Sequence, residues 1–145
     1  MSLLLLAVAP IMVIILYIYF KDKFEKEPIL FLFKNFLLGA FASILITFIL
    51  STLATVVFTV TDYESIFQQF IKAFFVVALV EEFSKYIIVK YYAQINKEFN
   101  EPFDGIVYAV MVSMGFAALE NVLYVLQHGV ETGITRAFTA VPAHA

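Results

Sequence analysis

Two adjacent carboxylates, Glu81 and Glu82, interrupt a long apolar stretch of the chain, and Lys85 follows within one helical turn. Glu81 and Lys85 are four residues apart, so on a helix they share a face in the favourable acid-before-base order. An internal ion pair between them is the simplest interpretation. One lysine cannot neutralise two carboxylates, however, so one carboxylate needs a third partner or is available for chemistry. A carboxylate close to water in such a setting is a candidate general base.

Other polar residues stand out in apolar sequence. Glu120 precedes Asn121, and Tyr124 shares the helical face of Glu120 at a spacing of four residues. This carboxyl could simply be hydrogen-bonded by its own Asn or Tyr in a packing helix. His144 lies near the end of the chain, where a lone histidine commonly has no role, and His128 is expected in a solvated turn. Three buried acids in so short a chain favour a shared purpose.

The depth of these side chains in a membrane follows from the helical rise of 1.5 Å per residue. Glu81 lies roughly 13 Å from its outer boundary marker, and Glu120 and His144 each lie about 12 Å from theirs. The markers are the polar residues Lys72, His128 and Arg136. Charged groups cost about 2.5–3.5 kcal/mol at the bilayer centre, so they persist where they face a bundle interior or a wet cavity. The common depth predicts one shared site in the outer half of the membrane.

Two carboxylates and an imidazole support three kinds of chemistry. They can activate water and stabilise an oxyanion, bind a divalent metal, or relay protons or ions. The sequence contains no His-Glu-x-x-His zinc helix and no Glu-x-x-His di-iron pattern. It also offers no serine paired with histidine or lysine as a nucleophile. These three chemistries stay open at this point.

The composition requires lipid as the surrounding medium. Of the 145 residues, 63% are hydrophobic and 14% are charged, against about 45–50% and about 25% in soluble domains. The net charge of −3 excludes a strong nucleic-acid-binding surface. The absence of cysteine excludes disulfides, thiolate zinc sites and a cysteine nucleophile. We therefore predict an all-α, polytopic transmembrane bundle that forms a single domain over residues 1–145.

Four complete spans and the start of a fifth are expected, because roughly 20 apolar residues cross the hydrocarbon core. The spans are Leu3 to Phe20, a segment within Phe36 to Val60, Ala73 to Tyr92, and Phe103 to Gln127, with a fifth opening at Ile134. The segment Ile66 to Lys72 is expected at the interface, and residues 21–28, 61–65, 93–102 and 129–133 are expected as connections. Because the fifth span stops after about 12 residues, further carboxy-terminal helices are expected to be missing.

Lysine placement predicts the orientation of the bundle. The lysines near the first and third connections are Lys21, Lys23, Lys26, Lys34, Lys90 and Lys97. The positive-inside rule then places the amino terminus outside. A secretory signal peptide is the alternative for the first span, but no basic residue precedes it and no cleavage site follows it. Gly39 and Ser43 have the spacing of a helix-packing motif, although chance is the simpler explanation.

At these residues the sequence resembles the PrsW family of intramembrane proteases, which is related to the CaaX-protease and bacteriocin-processing group of glutamate-dependent membrane enzymes. The Glu-Glu-x-x-Lys string alone is a weak signal, whereas four stretches in the family's order are specific. They lie within residues 70–145 and are Glu81-Glu82-x-x-Lys85, Phe103-Asp104-Gly105-Ile106-Val107-Tyr108, Gly115-Phe116 with Glu120-Asn121-x-x-Tyr124, and Arg136 to His144.

The resemblance implies catalytic roles for four residues. Glu81, with Glu82 beside it, would activate the hydrolytic water without a metal. In Phe116-x-x-x-Glu120, Glu120 takes the position at which the wider group has histidine, as in PrsW-like members. His144 would stabilise the oxyanion. The supporting residues would be Lys85, Asn121 and Tyr124, while Asp104, as a helix cap, and Gly105 would be structural.

The resemblance also implies a partner and a location. The substrate would be a single-pass membrane regulator, such as an anti-sigma factor, cut near the external side of a prokaryotic cell membrane. The family continues beyond His144 with more helices, so activity of this 145-residue chain is open. The alternatives are a metal-dependent version of the protease, a non-proteolytic scaffold or chaperone for membrane proteins, and a proton-coupled carrier.

Overall fold

The computed structural model describes residues 3–23 and 25–145, and all regular structure in these residues is helical. Phe24, in the predicted first connection, lies outside the described residues. The helices are α1 (Leu3–Lys21), α2 (Ile29–Val57), α3 (residues 66–93), α4 (Asp104–His128), α5 (Val130–Phe138) and α6 (Ala140–His144). The predicted all-α class is therefore confirmed.

Within the described residues, three helices are long and apolar enough to cross a membrane, namely α1, α2 and α4. The helix α3 contains the predicted third span, but Glu81, Glu82, Lys85 and Lys90 make it too charged to qualify by composition. The count of four spans therefore stays a prediction. The helix α2 begins at Ile29, directly after Pro28 and seven residues before the predicted start.

The helix α3 runs without interruption, so the segment Ile66 to Lys72 that is expected at the interface and the predicted third span form one continuous helix. The Ser65 hydroxyl caps its amino end by accepting a hydrogen bond from the Gln68 backbone N–H at 3.4 Å. Two stretches of α3 are π-helical, Lys72–Ala78 and Val89–Ala93. They flank the α-helical stretch Leu79–Ile88, which carries the charged residues. Such π-helical turns frequently occur next to functional sites.

The central element of the bundle is α4, and the backbone of α2 crosses it at close range. A Cβ added at Gly39 would collide with the Val112 carbonyl, and one added at Gly115 would collide with the Phe36 carbonyl. The two glycines thus let the helices touch through their backbones. The interpretation of the small residues at Gly39 and Ser43 as a chance pattern is therefore wrong.

The chain reverses at Gly129, whose φ of 83° is favourable for glycine alone. The helix α5 begins at the next residue, so the predicted turn over 129–133 and the predicted helix start at Ile134 are wrong. A break at Thr139 separates α5 from α6. The predicted beginning of one fifth span is thus two short helices that pack along α4. His128, at the end of α4, is exposed as expected.

Candidate active site

The carboxylate of Glu120 lies at the centre of a charged cluster on four helices. Its Oε2 atom is 2.6 Å from Nη2 of Arg136 and 3.1 Å from Nε2 of His144. Glu120 lies on α4, Arg136 on α5 and His144 on α6. The interpretation that Asn121 or Tyr124 satisfies this carboxyl is wrong, because its partners come from the two carboxy-terminal helices.

Lys85, on α3, closes the cluster from the other side. Its Nζ atom is 2.6 Å from Oε1 of Glu82 and 2.9 Å from Nδ1 of His144. The ion pair predicted with Glu81 is therefore replaced by one with Glu82. Because a lysine ammonium only donates, Nδ1 of His144 accepts, and the imidazole proton lies on Nε2 facing Glu120. Both nitrogens of His144 are thus occupied.

Glu81 is half-buried, and among the described residues it makes no side-chain hydrogen bond and no ion pair. Its carboxyl lies close enough to Glu120 and Lys85 for their charges to interact with it. The side chain of Glu82, in contrast, is 63% exposed. Within the described residues, Glu81 is thus the carboxylate of the cluster with neither oxygen in a hydrogen bond or an ion pair.

A group of hydroxyls fixes the backbone beside Glu81. The Ser84 hydroxyl donates to the Glu81 carbonyl at 2.8 Å, and lies 2.8 Å from the Ser43 hydroxyl and 2.7 Å from the Thr47 hydroxyl. A hydroxyl has one proton, so Ser84 accepts from the two α2 side chains. This arrangement ties the helical turn that carries Glu81 to α2.

Arg136 is the member of the cluster whose place the sequence interpretation missed, since it was taken as a boundary marker. Its Nε atom donates to Oδ1 of Asn121 at 2.8 Å, and Asn121 Nδ2 donates to the Ala7 carbonyl of α1 at 2.8 Å. Its guanidinium also lies 4.1 Å from the centre of the Tyr124 ring. The charge balance could have identified Arg136, because it is the only arginine in the sequence and the acids in the apolar segments need a counter-ion.

The structure brings Glu120 and His144 together, as the depth count predicted for these two residues. The count used Arg136 as a surface marker, however, and Arg136 instead contacts the same carboxylate. The break at Thr139 makes a straight helical count from Arg136 to His144 invalid. The agreement in depth therefore came partly from compensating errors.

A second polar cluster is buried where α4 begins, and this loop-side cluster consists of Asp22, Glu27, Asp104 and Tyr108. Asp104 Oδ2 accepts from the backbone N–H groups of Asn100 and Glu101 at 2.8 and 2.7 Å, so it orders the preceding loop and the predicted helix cap is wrong. Tyr108 Oη donates to Glu27 Oε2. Burial and the neighbouring Asp104 raise the pKa of Glu27 from 4.5 to about 8.

Comparison with known proteins places the chain in a family. Residues 27–145 match the family described as PrsW family intramembrane metalloprotease. The chain belongs to the PrsW family. Protease PrsW of Geobacillus kaustophilus is 42% identical over 144 residues, which cover 99% of this chain and 61% of that protein. No solved structure matches the chain.

Further relatives give the same result. Protease PrsW of Oceanobacillus iheyensis is 39% identical over 145 residues, covering 100% of this chain and 64% of that protein. Protease PrsW of Bacillus subtilis is 36% identical over 138 residues, covering 95% and 60%. The chain spans about three fifths of the length of the curated relatives it matches.

The family description implies a metal, but the residues of the cluster do not fit one. Among the described residues no group of three His, Cys, Asp or Glu side chains is arranged to hold a metal ion. Both nitrogens of His144 are engaged, and the guanidinium of Arg136 and the ammonium of Lys85 lie where a metal would contact Glu120 and His144. A divalent cation there would be repelled by two fixed positive charges.

Proposed function

We propose that this chain carries the hydrolytic centre of an intramembrane endopeptidase, in which Glu81 activates water without a metal. The observation that carries the proposal is the contrast between Glu81, which makes no ion pair in the described structure, and Glu120, which is held by Arg136 and His144. A general base must bind the water whose proton it takes. Both contacts of Glu120 use its Oε2 atom, whereas neither carboxylate oxygen of Glu81 takes part in a hydrogen bond or an ion pair within the described residues.

Glu120 acts in this proposal through His144. The carboxylate accepts the Nε2 proton of His144 and fixes the imidazole, as a second carboxyl does in many catalytic arrangements. Arg136 neutralises Glu120 and is itself fixed by Asn121. Glu82 pairs with Lys85 and directs the ammonium into the cluster. The four predicted catalytic residues thus divide into a base, Glu81, and three residues that set the charge around it.

The substrate proposed is a single-pass membrane regulatory protein, such as an anti-sigma factor, in a bacterial cell membrane. The family relationship supports a membrane-protein substrate, since the relatives are named as proteases and the family as intramembrane. Cutting near the external side follows from the orientation proposed above, with four spans and an external amino terminus. The lysines near the first and third connections support that orientation.

The test is cleavage of co-expressed single-pass membrane proteins, detected by immunoblot, by the wild-type chain and by Glu81→Gln. Loss of a general base lowers the rate about 10²–10⁴-fold, so we expect no product from Glu81→Gln. Glu64→Gln, which changes an exposed carboxylate outside the cluster, is the matched control and should cleave normally. Undiminished cleavage by Glu81→Gln at equal membrane abundance contradicts the proposal, and loss of cleavage on chelation would favour the metal-dependent alternative.

A further inference from the structure

The ammonium of Lys85 has a hydrogen-bond donor to spare at the centre of the cluster. A lysine ammonium carries three N–H groups. In the described residues two acceptors contact it, Oε1 of Glu82 at 2.6 Å and Nδ1 of His144 at 2.9 Å. The ammonium also lies 4.7 Å from the centre of the Phe116 ring, and this cation–π contact supplies no hydrogen-bond acceptor. The side chain is only 4% exposed, so the remaining donor is confined to the interior.

His144 lacks a corresponding free donor. Its Nε2 proton faces Glu120 at 3.1 Å, and its Nδ1 atom accepts from Lys85. A substrate oxygen could reach His144 only by displacing one of these charged partners. Lys85 and Glu81 lie one turn apart on the same face of α3. A carbonyl group held beside a water on Glu81 would therefore find an unused donor on Lys85, whereas both nitrogens of His144 are already engaged.

We propose that Lys85 is the catalytic electrophile, donating a hydrogen bond to the oxyanion formed at the scissile carbonyl. This inference rests on the proposed function. Glu81 removes a proton from water as the new C–O bond forms, and the carbonyl π electrons move to oxygen, where Lys85 stabilises the charge. The C–N bond then breaks, and the proton on Glu81 passes to the leaving amine. His144 and Glu82 are positioning residues that direct the ammonium.

The decisive comparison is between Lys85→Met and the double variant Glu82→Gln/Lys85→Met. The assay uses proteoliposomes and a reporter with one transmembrane helix of about 20 residues, a fluorophore and a quencher flanking its juxtamembrane segment. Loss of one oxyanion donor lowers kcat about 10²–10³-fold, and we expect that loss for Lys85→Met with KM changed less than about threefold. If Lys85 only neutralised Glu82, the double variant would regain activity, whereas we expect it to stay as low as Lys85→Met.

Chemical rescue provides a second readout that is independent of folding during synthesis. The sequence contains no cysteine, so Lys85→Cys introduces a single thiol. Alkylation with 2-bromoethylamine restores an ammonium at nearly the length of lysine, and we expect it to raise kcat at least tenfold. Iodoacetamide adds a neutral group and should give no recovery. Lys90→Met, which removes an exposed lysine from the same helix, is the control for loss of charge.

The outcomes separate the two proposals. If the wild type cleaves the reporter, Glu81→Gln does not, and Lys85→Met keeps more than a third of kcat, the role of Lys85 is overturned while the protease proposal stands. Recovery of activity in the double variant, or equal rescue by both alkylating reagents, overturns it as well. If the wild type cleaves nothing, both proposals fail.

Discussion

Two clusters of acidic residues in the described part of the chain are neutralised in different ways. Around Glu120 the negative charge is balanced by the guanidinium of Arg136 on α5, and His144 on α6 donates a hydrogen bond to the same carboxylate oxygen. In the loop-side cluster the described residues supply no cation to Glu27, which meets Asp104 and Tyr108 and retains a proton. Fixed cations favour the charged form of a carboxylate in a poor dielectric, whereas burial beside other acids favours the neutral form. Of the two clusters, the one around Glu120 is therefore the one in which fixed cations contact the carboxylates.

Removal of Arg136 should have the largest effect on this contrast. Arg136→Met leaves Glu120 without its main counter-ion, and breaking a buried pair costs about 3–5 kcal/mol. The two side chains keep 13% and 20% exposure, so we expect about 2–4 kcal/mol of lost unfolding free energy in micelles. The double variant Glu120→Gln/Arg136→Met should recover part of it. A loss below about 0.5 kcal/mol for Arg136→Met would show that the pair is not a structural element of the cluster.

Glu27 should impose a pH dependence that the first cluster cannot explain. Its raised pKa means that the folded chain keeps a proton that the unfolded chain releases between about pH 4.5 and about pH 8. The free energy of unfolding should therefore fall as pH rises through this window, by up to about 1.4 kcal/mol per pH unit.

The pH dependence is tested by Glu27→Gln, which should show a flatter pH profile of unfolding than the wild type. Glu25→Gln changes an exposed neighbour in the same connection and serves as the control. Parallel profiles for the wild type and Glu27→Gln between pH 5 and about pH 8 would mean that Glu27 ionises normally, and the contrast between the two clusters would be lost.

Loss of the Tyr108 hydroxyl should have the smallest effect. Tyr108 is fully buried and donates to Glu27, so Tyr108→Phe removes one hydrogen bond without a change of shape. We expect a loss of about 1 kcal/mol at neutral pH. Tyr91→Phe, at a largely exposed tyrosine, should leave the free energy of unfolding unchanged. An effect of Tyr108→Phe as large as that of Arg136→Met would indicate that the loop-side cluster supports the whole bundle.

The sequence predicted which residues matter better than it predicted their partners. Buried acids and a histidine are visible in apolar sequence, because lipid makes them costly. The partner of Lys85 was not predictable, since Glu81 and Glu82 are both within reach on a helix at spacings of four and three. Arg136 was misassigned because its location depends on the reversal at Gly129 and the break at Thr139, which periodicity does not register.

The helical layout was predictable to a similar degree. The apolar runs predicted α1, α2 and α4. The start of α2 and the continuity of α3 are visible only in the structure. The close crossing of α2 and α4 was also uncertain from sequence. Its small residues at Gly39 and Gly115 have the right type, but only the folded chain shows them in contact with the facing backbone.

The most direct test of the central claim is hydrolysis by purified, chelator-treated protein in H₂¹⁸O. The product's new carboxy terminus is analysed by mass spectrometry for the wild type and for Glu81→Gln. Activation of water by Glu81 predicts one ¹⁸O atom in that carboxylate from the wild type, and at least about 100-fold less product from Glu81→Gln. Labelled product from Glu81→Gln at the wild-type rate, or no product from the metal-free wild type, would contradict the account.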